Sequence, residues 1–172
     1  MRVAYRLRQL RANLAAGPLS EPARQEVVEV LTAAELALFG RFSFADQWHS
    51  YRVLRCLRDA GYNHPDLLAA ALLHDIGKVR CPLSIWDRTV IVVAGALFPG
   101  RVERWGQGPL ESWRRPFVAR LLHPEWGAQM AEDVGSRPAV VDIIRRHQAK
   151  LTSVQNKADQ LLASLQWADD QN

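Results

Sequence analysis

The chain has 172 residues, of which 48% are hydrophobic and 23% are charged. This composition is typical of an ordinary folded protein and excludes a disordered or fibrous one, and a chain of this length buries about 70% of its unfolded surface around one core. The formal net charge of +4 favours anionic partners without separating a nucleotide from a nucleic acid or an acidic protein. The two cysteines, Cys56 and Cys81, are widely spaced and predict neither a disulfide framework nor a zinc knuckle.

The apolar runs are too short to cross a bilayer. The longest, over 90–98, is bounded by Arg88 and Arg101, whereas a spanning helix needs roughly 20 apolar residues. The N-terminal segment mixes arginine with apolar residues throughout and lacks the continuous apolar stretch of a secretory signal. We therefore expect no transmembrane helix and a cytoplasmic location.

Apolar residues recur every three or four positions in almost every segment, which predicts an all-α fold. The first predicted helix runs from Val3 to Leu14. The second begins after Ser20 and continues to about Phe39. We expect residues 1–42 to form an N-terminal helical extension packed on the core, and residues 43–172 to form the main helical domain.

Seven further helices are predicted downstream. The third begins at Ser43 or Asp46 and ends at Gly61, and the fourth opens at Pro65 with His64 as its cap. After these, the pattern predicts helices over 85–97, 111–122, 123–134, 138–150 and 156–169, with an irregular Gly-rich loop over 99–109.

The fourth helix carries the strongest chemical signal. Its run over 67–73 is wholly apolar and is followed directly by His74 and Asp75. Burying ionisable groups without partners costs several kcal/mol, so packing alone does not explain this pair. A metal ion would explain it, because an imidazole nitrogen and a carboxylate oxygen suit Mn, Fe, Zn or another divalent ion, and a carboxylate can bridge two ions.

The sequence resembles the HD superfamily of metal-dependent phosphohydrolases, whose pattern is a His, then His-Asp, then a distant Asp, all on helices. The matching residues are His49 in QWHSYRV, His74 and Asp75 in HDIGK, and Asp169 in LQWADD. The final Asp could also be Asp170 or Asp159, but the apolar run that ends in Asp169 fits the family's terminal Ala-Asp best. The resemblance covers about residues 43–170, so it implies an HD-type domain there.

Two more histidines resemble ligands of a second metal. His123 in LLHPEWG resembles the HPE-G segment of HD-type phosphodiesterases, and His147 in IIRRHQ lies where those proteins have another ligand. Gln148 replaces the second His of the HD-GYP group and the GYP tripeptide is absent, so cyclic-di-GMP hydrolysis is not implied. The resemblance implies two divalent ions, with Mn, Fe, Mg, Zn, Ni and Co not distinguished. One would be held by His49, His74, Asp75 and Asp169, and the other by His123 and His147 with Asp75 as the bridge.

This resemblance implies hydrolysis of a phosphomonoester or phosphodiester of a nucleotide-like substrate by metal-activated water. The predicted catalytic residues are Asp75 and Lys78. Lys78 would reach a phosphate oxygen and offset the charge that develops on it, or would simply be solvated after the helix. Four arginines flank the Gly-rich loop and could bind phosphate through bidentate contacts or be solvated: Arg101, Arg104 and the two predicted substrate-binding residues, Arg114 and Arg115.

Two alternative functions have less support in the sequence. A non-catalytic HD-type signalling or nucleotide-binding module would keep the fold, but the complete ligand set argues against a degenerate site. A nucleic-acid-binding protein would rest only on net charge and arginine count, and it would leave the histidines unexplained. The expected partner is therefore a small-molecule phosphate ester or nucleotide, and any self-association is expected to be a homodimer.

Overall fold

A computed structural model of the chain describes residues 17–172, apart from the side chains at positions 85, 88 and 99. Over these residues the fold is built from helices and contains no strand, which confirms the all-α prediction. The first predicted helix, Val3–Leu14, lies outside the described residues. Of the helices described, none is long and apolar enough to cross a membrane.

Nine α-helices and one 3₁₀ turn follow one another along the described residues. They are α1 (Glu21–Val30), α2 (Ala33–Phe39), α3 (Phe44–Asp59), α4 (Pro65–Leu73), a 3₁₀ turn (Ile76–Arg80), α5 (Ile85–Leu97), α6 (Pro99–Gly106), α7 (Arg115–Asp133), α8 (Pro138–Arg146) and α9 (Lys157–Asp170). Local caps set several of these starts. The side chains of Ser43, Ser84 and Asn156 each accept a hydrogen bond from the amide three residues on. His64 caps α4 through the amide of Asp66, as predicted.

The prediction of a single helix from Ser20 to Phe39 was wrong, because the chain begins a new helix at Thr32. The Thr32 side chain accepts a hydrogen bond from the Glu35 amide, and the Glu35 carboxylate accepts one from the Thr32 amide at 2.9 Å. This capping box satisfies two amides that would otherwise be unpaired at a helix start. The result is the pair α1 and α2.

The Gly-rich segment over 99–109 is not an irregular loop, since most of it forms α6. The rings of Phe98 and Trp105 lie 6.3 Å apart, and the Trp105 ring lies 5.0 Å from that of Phe117 on α7. Edge and tilted ring contacts of this kind stabilise packing beyond the buried area alone. Tertiary packing therefore outweighs the low helix propensity of the two glycines of α6.

Residues 111–134 were predicted as two helices that meet at His123-Pro124, but α7 runs through Pro124. A proline within a helix leaves the carbonyl four residues earlier without its amide donor. Here that carbonyl belongs to Arg120 and accepts a hydrogen bond from the His123 ring instead, at 2.9 Å. Helix α8 ends at Arg146 and not at 150 as predicted.

Helix α4 lies at the centre of the core. Every residue from Leu67 to Leu73 is buried, and α3, α8 and α9 pack against it. The following 3₁₀ turn packs against α7 at very close range: a Cβ atom added at Gly77 would overlap the carbonyl oxygen of His123 and lie 2.7 Å from the amide nitrogen of Gly127. This contact brings the end of α4 next to the middle of α7.

Candidate metal centre

Six side chains from five parts of the fold meet beside the end of α4. In each of two groups of three, the ligand atoms all lie within 4.8 Å of one another. The first group is His49, His74 and Asp169, and the second is Asp75, His123 and His147. These are the six metal ligands predicted from the sequence, and the fold brings all of them together.

The ring orientation of the histidines is fixed by their own helices. Nδ1 of His74 lies 3.0 Å from the carbonyl oxygen of Ala71, and Nδ1 of His147 lies 2.7 Å from that of Ile144. Each Nδ1 therefore carries the proton and donates it to a carbonyl, which leaves Nε2 as an acceptor that faces the cluster. The Nε2 atom of His74 is fully buried and has no hydrogen-bond partner among the described residues.

His123 is oriented in the same way by the carbonyl that Pro124 leaves unpaired. Its Nε2 atom then lies 3.2 Å from Nε2 of His147. Two neutral imidazoles that both present a lone pair cannot hydrogen-bond to each other, and a cation between them would resolve this opposition. Gln148 also approaches, with its Nε2 atom 3.3 Å from Nε2 of His123.

Asp75 lies between the two groups. Its Oδ2 atom is 3.5 Å from Nε2 of His74 and 3.7 Å from that of His49. Its Oδ1 atom is 3.4 Å from Nε2 of His123 and 3.8 Å from that of His147. One oxygen faces each group, which is the arrangement that a bridging carboxylate requires.

The charges in the cluster favour ligands in their metal-binding forms. Burial lowers the pKa of His147 to about 3, so this ring is neutral at physiological pH. Burial would raise the pKa of Asp75, but the neighbouring groups, above all the charge on Lys78, outweigh burial and hold that pKa well below its usual range. Lys78 donates a hydrogen bond to Oδ2 of Asp75. Neutral imidazoles and an ionised carboxylate are the species that bind metals.

The three candidates for the final Asp are in different environments. Asp169 has its Oδ1 atom 3.0 Å from Nε2 of His49. Asp159 pairs instead with Arg146 at 2.6 Å and its backbone amide donates to the side chain of Asn156 that caps α9, while Asp170 is exposed. Burial would raise the pKa of Asp169, but its close contacts with His49 and His74 outweigh burial and lower the pKa, so this carboxylate is ionised.

A cavity of about 650 Å³ opens onto the cluster. His123, Lys78 and Gln148 line it, beside apolar side chains. Neither Arg114 nor Arg115 is among the residues that line it, and their predicted role in substrate binding stays a prediction.

Both of these arginines have other contacts. The Arg114 guanidinium lies over the Trp113 ring, 5.4 Å from its centroid. Arg115 donates to Cys81 Sγ at 3.3 Å and to the carbonyl of Pro82. Two arginines that were not predicted from the sequence, Arg41 and Arg120, line the cavity instead.

The donor set fits divalent metal ions. A buried imidazole nitrogen without a partner, two opposed lone pairs and a carboxylate that faces both groups are costly arrangements in a protein interior. A cation at each group would satisfy all three, and mixed imidazole and carboxylate sets suit Mn, Fe, Zn and similar ions. The cluster can therefore hold metal ions, and its geometry alone does not select one element.

A model of the HD domain family matches residues 48–170 of the chain. This range includes all six residues of the cluster and leaves out α1, α2 and the start of α3. No curated protein and no solved structure is matched by the chain.

Proposed function

Because the chain belongs to the HD domain family, we propose that it is a phosphohydrolase that uses two divalent metal ions to hydrolyse a phosphomonoester or phosphodiester of a nucleotide-like substrate. The observation that carries this proposal is the position of Asp75, whose two oxygens face two separate groups of imidazoles. When bound, the ions would supply the Lewis acidity that activates water and stabilises the oxygens of a phosphoester.

Each side chain has a role in this proposal. His49, His74 and Asp169 would hold one ion, His123 and His147 would hold the other, and Asp75 would bridge them. Their burial supports these roles, because His74, His123 and His147 are at most 6% exposed and are locked by carbonyls of their own helices. Preorganised ligands of this kind bind without a reorganisation cost.

Lys78 would act on the substrate as well as on Asp75. Its ammonium group neutralises the Asp75 carboxylate, and the residue also lines the cavity. A phosphate in the cavity would therefore meet a fixed cation that offsets the charge that develops as the P–O bond breaks. The volume of the cavity lies in the range of about 300–1,000 Å³ that is typical of small-molecule sites.

The test combines metal analysis with hydrolysis. The purified chain is reconstituted separately with Mn²⁺, Fe²⁺, Zn²⁺ and Mg²⁺, its bound metal is counted, and p-nitrophenyl phosphate, bis(p-nitrophenyl) phosphate and a nucleotide panel are assayed. We expect about two ions per chain and turnover. Asp75→Asn should lose both ions and turnover, and His147→Asn should keep one ion. Asp59→Asn, which alters an exposed carboxylate on α3, is the matched control.

Three results would contradict the proposal in different ways. Absence of bound metal after reconstitution would remove the metal centre. Two ions in His147→Asn would show that the second group is not a ligand set. Two ions without turnover on any phosphoester would favour the alternative, a non-catalytic nucleotide-binding module of the HD type.

A further inference from the structure

Two arginines line the cavity, and neither has an acidic partner within residues 17–172. Arg41 follows α2, and Arg120 lies on α7 one helical turn before His123. Among the described side chains, none forms a hydrogen bond or ion pair with either guanidinium. Six other arginines of the fold, in contrast, pair with carboxylates: Arg24, Arg55, Arg58, Arg137, Arg145 and Arg146.

Arg120 lies beside the wall of the cavity that α5 provides. A Cβ atom added at Gly95 on α5 would lie 3.7 Å from Nη1 of Arg120, so the guanidinium lies against this helix. Ile91 and Val92, also on α5, line the same cavity. The guanidinium therefore extends from α7 towards α5 beside an apolar surface.

Arg41 lines the cavity from the short segment between α2 and α3. It is followed by Phe42, which also lines the cavity and whose apolar surface adjoins the site. Asp46 lines the cavity too, where its carboxylate accepts a hydrogen bond from the Ser43 hydroxyl. All four residues precede position 48, where the match to the family begins. This wall of the cavity therefore belongs to the chain's own N-terminal part.

From these observations we propose that Arg41 and Arg120 bind a second phosphate group of the substrate, separate from the one that is hydrolysed. The proposal rests on the proposed function, since the scissile phosphate is assigned to the metal centre. Arginine forms bidentate contacts with phosphate, and an arginine without an acidic partner gives up no ion pair when it binds one. The apolar side chains would contact the part of the substrate that joins the two phosphates, so the substrate class is a phosphoester with at least two phosphate groups.

The test uses ligands that cannot be hydrolysed. Methylphosphonate carries one anionic group, and α,ω-alkylene diphosphonates carry two at a spacing set by the alkyl chain. Their affinities for the metal-loaded chain are measured by calorimetry. We expect the diphosphonate with one particular alkyl length to bind at least about tenfold more tightly than methylphosphonate. This gain corresponds to about 1.4 kcal/mol of binding free energy.

Variants identify the source of this gain. Arg41→Gln and Arg120→Gln should each lose most of the gain and leave the affinity for methylphosphonate and the metal content unchanged. Arg24→Gln, which alters an exposed arginine paired with Glu21 on α1, should keep the full gain. Unchanged metal content and circular dichroism in the two variants exclude a folding defect as the cause.

The subsite and the proposed activity can fail separately. If no diphosphonate binds more tightly than methylphosphonate, or if the gain survives in both arginine variants, the subsite is overturned even when the chain hydrolyses phosphoesters. If the gain depends on both arginines while no phosphoester is hydrolysed, the subsite stands and the proposed activity is what fails.

Discussion

Among single residues, the neighbouring carboxylates of Asp169 and Asp170 give the sharpest comparison. Asp169 contacts His49 at 3.0 Å, whereas Asp170 is exposed on the next position of α9. We predict that Asp169→Asn weakens metal binding at least about 100-fold, because loss of even an outer partner of a metal ligand costs about 10–100-fold. Asp170→Asn should leave the affinity unchanged. Equilibrium dialysis with the reconstituting metal measures both, and equal effects in the two variants would contradict the assignment.

The metal cluster could be predicted from the sequence because its residues stand out locally. His74 and Asp75 interrupt an apolar run, and His123 and His147 lie in short segments of recognisable pattern. Arg41 and Arg120 could not be found in this way. Their neighbours in sequence resemble those of any solvated arginine, and only the packing of α5, α7 and the segment after α2 brings both to one cavity.

At the level of elements, the contact between the 3₁₀ turn and α7 holds the two halves of the metal cluster together. The backbones meet at Gly77, where a methyl group would overlap the His123 carbonyl. We predict that Gly77→Ala destabilises the fold by about 3 kcal/mol or more, since overpacking of a tight contact forces the backbone apart. The same movement should lower the metal content, because it displaces Asp75 from His123.

Gly100→Ala is the matched control for this change. A Cβ atom at Gly100 would have no neighbour within 4 Å, and the position lies in α6. Alanine there should leave the free energy of unfolding unchanged or raise it by about 0.5 kcal/mol. Urea denaturation measures both variants, and a Gly77→Ala chain as stable as the parent would contradict the close contact.

The start of α2 supplies a pH-dependent contribution to stability through Glu35. Its buried carboxylate accepts hydrogen bonds from the amide and hydroxyl of Thr32 and, at 2.7 Å, from the hydroxyl of Ser136. Burial raises the pKa of Glu35, but these hydrogen bonds outweigh it, so the pKa lies below its ordinary value of 4.5. The ionised form therefore stabilises the folded state.

Because the pKa of Glu35 is lower in the folded chain, its contribution is complete above pH 4.5 and is lost as the pH falls through the folded-state value. We predict that Glu35→Gln lowers the free energy of unfolding by about 2 kcal/mol at pH 7, the usual range for hydrogen bonds to a charged group. The difference between parent and variant should shrink as the pH falls from 5 to 3. Denaturation at a series of pH values measures it, and a difference independent of pH would contradict the role of the charge.

The predicted elements failed where tertiary contacts or local hydrogen bonds replaced what the sequence pattern assumes. Pro124 was expected to begin a helix, but the His123 ring uses the carbonyl that Pro124 leaves unpaired, so α7 continues through it. The glycines of α6 indicated a loop, but the tilted contact of the Trp105 ring with the Phe117 ring favours a helix there. In both cases the helix is stabilised by a side-chain contact that the periodicity of apolar residues does not take into account.

At the scale of the whole molecule, the metal cluster draws ligands from α3, α4, α7, α9 and the turn after α8. These elements are far apart in the sequence, and helix α4 with its buried residues joins them at the core. Ions bound between them would therefore link most of the fold. Metal binding and global unfolding should be coupled, because an unfolded chain cannot hold these ligands in place.

We predict that saturating metal raises the melting temperature of the parent chain. A ligand at about 100 times its Kd that binds only the folded state adds about 2.7 kcal/mol, which is about 5 to 10 °C for a chain of this size. Asp75→Asn should show no shift, because both groups lose their shared carboxylate, while Asp59→Asn should shift like the parent. Scanning calorimetry with and without metal, and after a chelator, measures the effect. A parent whose melting temperature does not move while metal is bound would mean that the unfolded chain binds the ion as tightly as the folded chain, which would contradict a site that depends on these helices being held together.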